Sequence, residues 1–209
     1  MNRHHLVHFL KHPSIWAHAI WRKAYETRHP DHPWLDPGAI KLIDSVLTTE
    51  SNVLEWGAGR STTWLARRVG RLTSIEHDAG WYRQVRETLA DRGLTNVDLR
   101  FLPLPDTAAM DDDFYWSESP YAMVSAEFVD GALDLVLVDG AMRQNCVARV
   151  LSKIKPGGHL VIDNARQLSR LDDWGVPADW PLLHIDGRRL RDTAVWQRPS
   201  KGPAVTGGD

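Results

Sequence analysis

The sequence contains a single cysteine, Cys146, so no disulfide can form within the chain. Cysteine-poor chains are typical of reducing compartments, and we therefore expect a cytoplasmic protein. No apolar run approaches the roughly 20 residues that a membrane-spanning helix needs, which predicts no stable membrane insertion. Neither sign of charge dominates, with 25 Lys and Arg against 27 Asp and Glu. A net charge of −2 gives no electrostatic reason to expect a nucleic-acid partner.

The composition is that of one globular domain, with 209 residues of which 43% are hydrophobic and 25% charged. We expect a helical N-terminal extension over residues 1–33, a main domain over 34–198 and a disordered tail over 199–209. The extension contains seven of the ten histidines and two amphipathic helical patterns. It would either pack on the main domain or join two copies of the chain, so a homodimer through it stays open.

Apolar strand patterns alternate with helical patterns along the main domain. Strands are predicted at 53–54, 72–76, 97–102, 133–138 and 159–162, with helices at 79–92 and 146–154 and a turn at 155–158. Residues 182–185 and 193–196 read as a final hairpin. The alternation predicts an α/β fold with a Rossmann-like, doubly wound and mostly parallel sheet, to which the hairpin adds an antiparallel edge.

One segment, residues 107–131, interrupts this alternation. It carries three consecutive aspartates and then several aromatic residues, including Tyr121. A long segment over the carboxyl edge of a sheet is often a lid or a substrate wall. A surface helix with its aromatic side chains packed inward explains the composition equally well.

The first strand runs into the sequence Glu55-Trp56-Gly57-Ala58-Gly59, which predicts a strand, a glycine turn and a helix start. Ser61 and Thr62 are residue types that cap helix N-termini. A dinucleotide-binding turn wants a third small residue where this chain has Thr62. The run instead resembles the first motif of the class I S-adenosylmethionine-dependent methyltransferases. The resemblance implies that Gly57 and Gly59 hold the methionine end of the cofactor, with Glu55 shaping the loop and Ser61 and Thr62 beside it.

A second acid, Glu76, ends the second strand and is followed by His77. An acid at this point can accept hydrogen bonds from both hydroxyls of a ribose. The run Glu76-His77-Asp78 is similar to the methyltransferase pattern, in which the matching acid binds the cofactor ribose. The resemblance also implies that Asp106, after the third strand, lies near the adenine amine.

Acidic and amide side chains follow the fourth and fifth strands. Asp139 follows the fourth, and Asp163 and Asn164 follow the fifth. Their oxygens are hard ligands suited to Mg²⁺ or another divalent cation. The arrangement resembles the metal site of catechol- and caffeoyl-CoA-type O-methyltransferases, in which the metal binds paired substrate oxygens. Alternatively, Asp139 contacts substrate or cofactor, and Asp163 and Asn164 cap the next helix.

The chain departs from those enzymes at the position of their lysine base, which lies one turn beyond the strand-four aspartate. Arg143 is found there, and it cannot serve as a base because it stays protonated. It could bind an acidic group of the substrate or pair with Asp139, so we include both residues as candidate catalytic groups.

Taken together, the motifs over residues 34–198 predict S-adenosylmethionine-dependent methyl transfer to a small-molecule acceptor, most naturally at oxygen. Two other functions stay open. One is an NAD(P)-dependent oxidoreductase on a related sheet. The other is a non-catalytic module that keeps the methyltransferase fold and binds a partner.

Overall fold

The predicted strands assemble into one seven-stranded sheet with the order β3-β2-β1-β4-β5-β7-β6. The computed structural model describes residues 24–25, 27–104, 118–185 and 192–200. The strands are β1 (Asn52–Trp56), β2 (Arg71–Glu76), β3 (Val97–Phe101), β4 (Leu133–Val138), β5 (Ile154–Asp163), β6 (Leu182–His184) and β7 (Thr193–Gln197). The first five strands are parallel, and β7 runs antiparallel to both β5 and β6. The predicted fold class, including the antiparallel C-terminal pair, is confirmed.

Helices cover both faces of this sheet. In the described ranges they are α1 (Pro37–Val46), α2 (Arg60–Ala66), α3 (Ala79–Asp91), α4 (Pro120–Met123), α5 (Arg143–Val150) and α6 (Ala165–Leu168). Short 3₁₀ helices cover Val124–Glu127, Leu151–Lys153 and Leu171–Trp174. In the part of the chain that the structure describes, no helix combines the length and apolar character needed to cross a bilayer.

The core lies in two layers because successive residues of a strand point to opposite faces of the sheet. On one face, Leu54, Val136 and Leu160 pack with residues of α5. On the other face, Val53 and Leu135 pack with residues of α1 and α2. The central strands are therefore apolar on both sides, as a doubly covered parallel sheet requires.

The chain reverses its direction of travel across the sheet between β1 and β4. Strands β2 and β3 are added in turn on one side of β1, and β4 then pairs with the other side of β1. The two loops that leave the carboxyl ends of β1 and β4 therefore diverge, which opens a cleft between them. Ligands bind at such a switch point in open α/β sheets.

Two predicted boundaries were wrong. Helix α5 begins at Arg143 rather than at 146, and residues 155–158 belong to β5 rather than to a free turn. The pairing of β4 with β5 shifts register between Leu133 and Leu135, so the glycines form an irregularity inside the strand. Gly157 has a φ of 81°, and its N–H donates to the carbonyl oxygen of Arg198 at 2.8 Å.

Other predictions concern residues outside the described ranges. These are the helices of the N-terminal extension up to residue 23, Asp106, residues 107–117 of segment 107–131 and the tail from residue 201. The domain boundaries at 33–34 and 198–199 stay predictions.

Candidate active site at the carboxyl ends of β1 and β4

A cavity of about 650 Å³ lies at the switch point between β1 and β4. Six of the predicted site residues line it: Gly57, Gly59, Ser61, Glu76, His77 and Asp139. Seven residues that were not predicted complete the lining: Trp34, Ala58, Arg60, Asp78, Trp81, Gly140 and Ala141. Residues that are up to about a hundred positions apart in sequence thus line one cavity.

The glycine turn after β1 touches the loop after β4. Gly57 has a φ of 94°, in the region that favours glycine. A Cβ at Gly57 would lie 2.7 Å from the backbone of both Asp139 and Gly140, which is too close for any side chain. The N–H of Asp139 also donates to the carbonyl oxygen of Trp56 at 2.9 Å. Gly57 is therefore needed both for the turn and for the approach of the two loops.

The backbone N–H groups of the turn are already bonded within the protein. Those of Gly57 and Ala58 donate to the carbonyl oxygen of Ile75, at 2.9 and 3.3 Å. That of Gly59 donates to Oγ1 of Thr62 at 2.8 Å. A dinucleotide-binding turn places a pyrophosphate against such groups at a helix N-terminus. This turn instead presents its bare backbone surface to the cavity.

Neither Ser61 nor Thr62 is the N-cap residue of α2, although the Thr62 hydroxyl accepts the N–H of the N-cap Gly59. Gly59 is the residue before α2, and both Ser61 and Thr62 lie within the first turn of the helix. The Thr62 hydroxyl bonds to Gly59 and to Glu55, which places it inside the protein. Thr62 therefore supports the turn from behind, and Ser61 lines the cavity.

Glu55 is fully buried beneath the turn. Its Oε2 accepts hydrogen bonds from the hydroxyls of Thr62 and Ser74, both at 2.6 Å. Its Oε1 is buried and has no hydrogen-bond partner among the described residues. Burial raises the pKa of Glu55 to about 7, against the opposing effect of the Ser61, Ser74 and Thr62 hydroxyls. Glu55 thus shapes the loop from within and does not line the cavity.

Glu76 is 3% exposed and uses one carboxylate oxygen to hold the loop after β2. Oε1 accepts the N–H of His77 at 2.8 Å and the N–H of Asp78 at 2.7 Å. Nδ1 of His77 lies 3.1 Å from the same oxygen. In the described ranges, no hydrogen bond is made to Oε2. One carboxylate oxygen thus anchors the loop and the other is available to a ligand in the cavity.

Two tryptophans form walls of the cavity. Trp34 precedes α1, is 48% exposed, and has the guanidinium of Arg60 at 5.4 Å from its ring centroid. Trp81, near the start of α3, donates from Nε1 to the carbonyl oxygen of Ala58. The sequence motifs gave neither Trp34 nor Trp81 a role in the site. The high tryptophan content, ten residues, was the only signal that could have indicated aromatic walls.

Tyr121 is the described part of segment 107–131 that reaches the site. Its side chain is fully buried, and Oη accepts the N–H of Ala141 at 3.2 Å. Its ring meets that of His77 edge to face, with centroids 5.8 Å apart. Burial raises the pKa of Tyr121 above its ordinary value. This aromatic residue packs inward and supports the loop after β4.

Arg143 lies behind the cavity rather than in its lining. Nη2 of Arg143 lies 3.0 Å from Oδ1 of Asp139, which is one of the two roles considered for it. It lines a neighbouring cavity of about 400 Å³ that shares Gly140 and Ala141 with the first. Two adjoining spaces therefore meet at the loop after β4.

Two of the three predicted metal ligands, Asp163 and Asn164, make side-chain hydrogen bonds to other residues. Oδ1 of Asp163 accepts the hydroxyl of Thr193 at 2.6 Å, and the Asn164 amide donates to Gln167 at 3.3 Å. Asn164 precedes α6 with a φ of 54° but makes no side-chain cap. The described ranges contain no group of three His, Cys, Asp or Glu that could hold a metal ion. The predicted divalent cation is thus unsupported.

The fold and the cavity define a class of protein, an α/β enzyme with a nucleoside-type cofactor at the switch point of its sheet. A family model described as "Methyltransferase domain" matches residues 54–165, more than half of the chain. The chain therefore belongs to the methyltransferase-domain family and is a class I, S-adenosylmethionine-dependent methyltransferase. No curated protein sequence matches it significantly.

Solved structures share this fold. A methyltransferase-like protein from Silicibacter pomeroyi is 24% identical, with a TM-score of 0.59 over 83% of this chain and 91% of that one. An rRNA methylase from Streptococcus thermophilus is 12% identical, with a TM-score of 0.57 over 80% and 99%. A protein from Streptococcus mutans in complex with SAH (S-adenosylhomocysteine) is 10% identical, with a TM-score of 0.56 over 75% and 93%.

Proposed function

We propose that this methyltransferase transfers its methyl group to an oxygen atom of a small-molecule acceptor. The observation that carries the proposal is the lining of one cavity by the glycine turn, Glu76 and Asp139. The turn and Glu76 are suited to the cofactor, and Asp139 is suited to the acceptor. The proposal uses the same residues that the sequence motifs singled out.

The residues present fit the cofactor. Gly57 and Gly59 both line the cavity, where their backbone without side chains would lie against the methionine end. Oε2 of Glu76 is placed to accept hydrogen bonds from ribose hydroxyls, and His77 lies beside it. Trp34 and Trp81 offer flat apolar surfaces of the kind that stack on a purine. Asp106 stays a prediction for the adenine amine.

When bound, the cofactor supplies a methyl group on a positively charged sulfur, which an acceptor oxygen can take by in-line displacement. The chain's own contribution is then mainly positioning and exclusion of water. Asp139 lines the cavity beside Gly140, where its carboxylate can accept a hydrogen bond from an acceptor hydroxyl. The hydroxyl is thereby oriented toward the methyl group, and the proton that the oxygen loses on methyl transfer passes to the Asp139 carboxylate and from there to solvent.

An acceptor site next to the cofactor is supported by the adjoining cavity of about 400 Å³. Its lining includes Met142, Leu168 and Trp174 together with the amides of Gln144 and Asn145. A space of this size suits a small molecule with apolar and hydrogen-bonding parts.

The rRNA methylase among the structural relatives makes RNA an alternative acceptor, but a net charge of −2 argues against it. The single cysteine, which is buried, is consistent with the cytoplasm as the expected compartment.

The two other functions are disfavoured by particular contacts. A dinucleotide would place its pyrophosphate on the turn, where the three N–H groups are already bonded and the carboxylate of Glu55 lies directly beneath. A non-catalytic module would have no need for the free oxygen of Glu76 or for Asp139 in the same cavity. That second alternative becomes the preferred one if the cofactor does not bind.

The test is calorimetric titration of the full chain with SAH, comparing wild type with Glu76→Gln. Glutamine keeps an acceptor oxygen for the N–H groups of His77 and Asp78, and replaces Oε2 with a donor. We expect the affinity to fall roughly 5- to 150-fold, the equivalent of about 1–3 kcal/mol. Glu87→Gln is the matched control, since Glu87 is exposed on α3 outside the cavity. Equal affinities for all three proteins would remove Glu76 from the cofactor site, and no binding by wild type would refute the proposed function.

A further inference from the structure

The guanidinium of Arg143 is surrounded by oxygen atoms of neighbouring residues, as a bound metal cation would be. Its Nε donates to the carbonyl oxygen of Gly140 at 2.9 Å, and Nη2 donates to that of Asp139 at 2.9 Å. Nη1 donates to the carbonyl oxygen of Asp163, and Nη2 also lies 3.0 Å from Oδ1 of Asp139. The side chain is only 15% exposed. One guanidinium therefore joins the carboxyl ends of β4 and β5.

The oxygens around this guanidinium come from the same two strand ends as the predicted metal ligands. A divalent cation would need the carboxylates of Asp139 and Asp163 and the amide oxygen of Asn164. The carboxylate of Asp139 is instead paired with Arg143, and Oδ1 of Asp163 is bonded to Thr193. The positive charge at this edge of the sheet is thus already supplied by the protein.

The positive charge of an arginine is covalently attached to the protein, whereas a metal ion can dissociate. Arginine side chains stay protonated in proteins. A divalent cation approaching Asp139 would face this fixed positive charge on the same carboxylate. The oxygen set that the resemblance to metal-dependent enzymes implies therefore does not fit a metal in this chain.

We propose that Arg143 takes the place of the divalent cation of metal-dependent O-methyltransferases. It holds Asp139 and the ends of β4 and β5 in position, so that methyl transfer needs no metal ion. This inference rests on the proposed function, since Asp139 is the residue that it positions toward the acceptor. Arg143 acts here as a positioning residue: it contacts Asp139 and the strand ends, and it lines the adjoining cavity rather than the cavity proposed for the cofactor.

The test is the binding of Mn²⁺, followed by electron paramagnetic resonance on the full chain with and without SAH. The variants are Arg143→Met, which keeps the aliphatic stem and removes the charge, and Arg143→Lys, which keeps the charge. The matched control is Arg149→Met, since Arg149 lies on the same helix and pairs with the exposed Glu118. We expect no Mn²⁺ binding below millimolar concentration for wild type, Arg143→Lys and Arg149→Met. Arg143→Met should bind Mn²⁺ with an affinity at least roughly tenfold higher than that of wild type. Adding Asp139→Asn to this variant should abolish the gain in affinity.

Two results would overturn the inference. One is Mn²⁺ binding by wild type that Asp139→Asn abolishes, and the other is the absence of any gain in folded Arg143→Met. Circular dichroism shows whether each variant is folded. If Arg143→Met is unfolded, Arg143→Gln is used in its place. The comparison of wild type with Asp139→Asn decides the question without either variant. SAH titration separates this inference from the proposed function. Wild type that binds no SAH refutes the cofactor site, whereas SAH binding together with Mn²⁺ at Asp139 refutes only the role of Arg143.

Discussion

Replacing Glu55 with glutamine should remove a pH dependence from the stability of the cofactor-free protein. Glu55 is fully buried, and the hydroxyls of Thr62 and Ser74 donate hydrogen bonds to Oε2 of its carboxylate. Ionising it in this environment is costly because Oε1 has no partner among the described residues. Burial, with a smaller contribution from the charge of Glu76, raises the pKa of Glu55 from 4.5 to about 7.

The sign of the effect follows from which state holds the proton more tightly. The folded protein binds it more tightly than the unfolded chain, so this stabilisation is complete below about pH 4.5 and is lost as the pH rises through about 7. The difference between the two pKa values corresponds to about 3 kcal/mol, at about 1.4 kcal/mol for each tenfold change in proton affinity. Glutamine keeps an oxygen acceptor for Thr62 and Ser74 but does not titrate.

The assay is urea unfolding of wild type and Glu55→Gln at a series of pH values between about 4.5 and 8. The free energy of unfolding of the variant minus that of wild type should rise by about 3 kcal/mol across this range, because titrations common to both proteins cancel. Glu87→Gln should give a flat difference, since Glu87 is exposed. Parallel curves for wild type and Glu55→Gln would refute the reasoning, because they would mean that Glu55 titrates alike in both states.

The remaining predictions concern single contacts. Gly57→Ala should lower the free energy of unfolding in urea by at least about 2 kcal/mol, because a φ of 94° combines with a Cβ 2.7 Å from backbone. Gly93→Ala, with a φ of 62° and open space around it, should cost about 1 kcal/mol, and equal losses would contradict the packing argument. Asp36→Ala removes the side-chain cap of α1 and should cost about 1 kcal/mol in the same assay; no measurable loss would mean that the cap contributes nothing. Trp34→Ala should weaken SAH binding roughly fivefold (about 1 kcal/mol) in calorimetry, and unchanged affinity would remove it from the cofactor wall.

The local pattern of the sequence was sufficient for the sheet and for most of the cofactor side of the cavity. Apolar strands and glycine turns are short-range signals, and the carboxyl ends of parallel strands meet at one edge wherever the fold is doubly wound. Gly57, Gly59, Glu76 and Asp139 all lie at or just after the carboxyl ends of such strands, so their convergence could be predicted from their positions in the chain. Boundaries were less certain, since the glycines of β5 look like a turn until the pairing with β4 is known.

The walls of the cavity could not be predicted, because they depend on contacts between distant segments. Trp34 reaches the cavity from before α1, and Tyr121 of segment 107–131 supports the loop after β4 that lines it. Nothing in their own neighbourhood distinguishes them from tryptophans and tyrosines of an ordinary core. Which aromatic residue faces a ligand is decided by how the helices and loops pack, not by their periodicity.

The sequence by itself determined that this chain is a Rossmann-like methyltransferase with an acid, a glycine turn and a second acid at the carboxyl ends of its first two strands. Only the tertiary structure decided what the polar groups after β4 and β5 bind. Asp163 lies opposite Thr193 in the register of β5 with β7, so the Thr193 hydroxyl bonds to its carboxylate. The adjacency of β4 and β5 brings the Asp163 carbonyl oxygen within reach of Arg143, twenty residues away in the chain. The pairing of the strands brings these partners together, and the residue types in the sequence do not show which strands will pair.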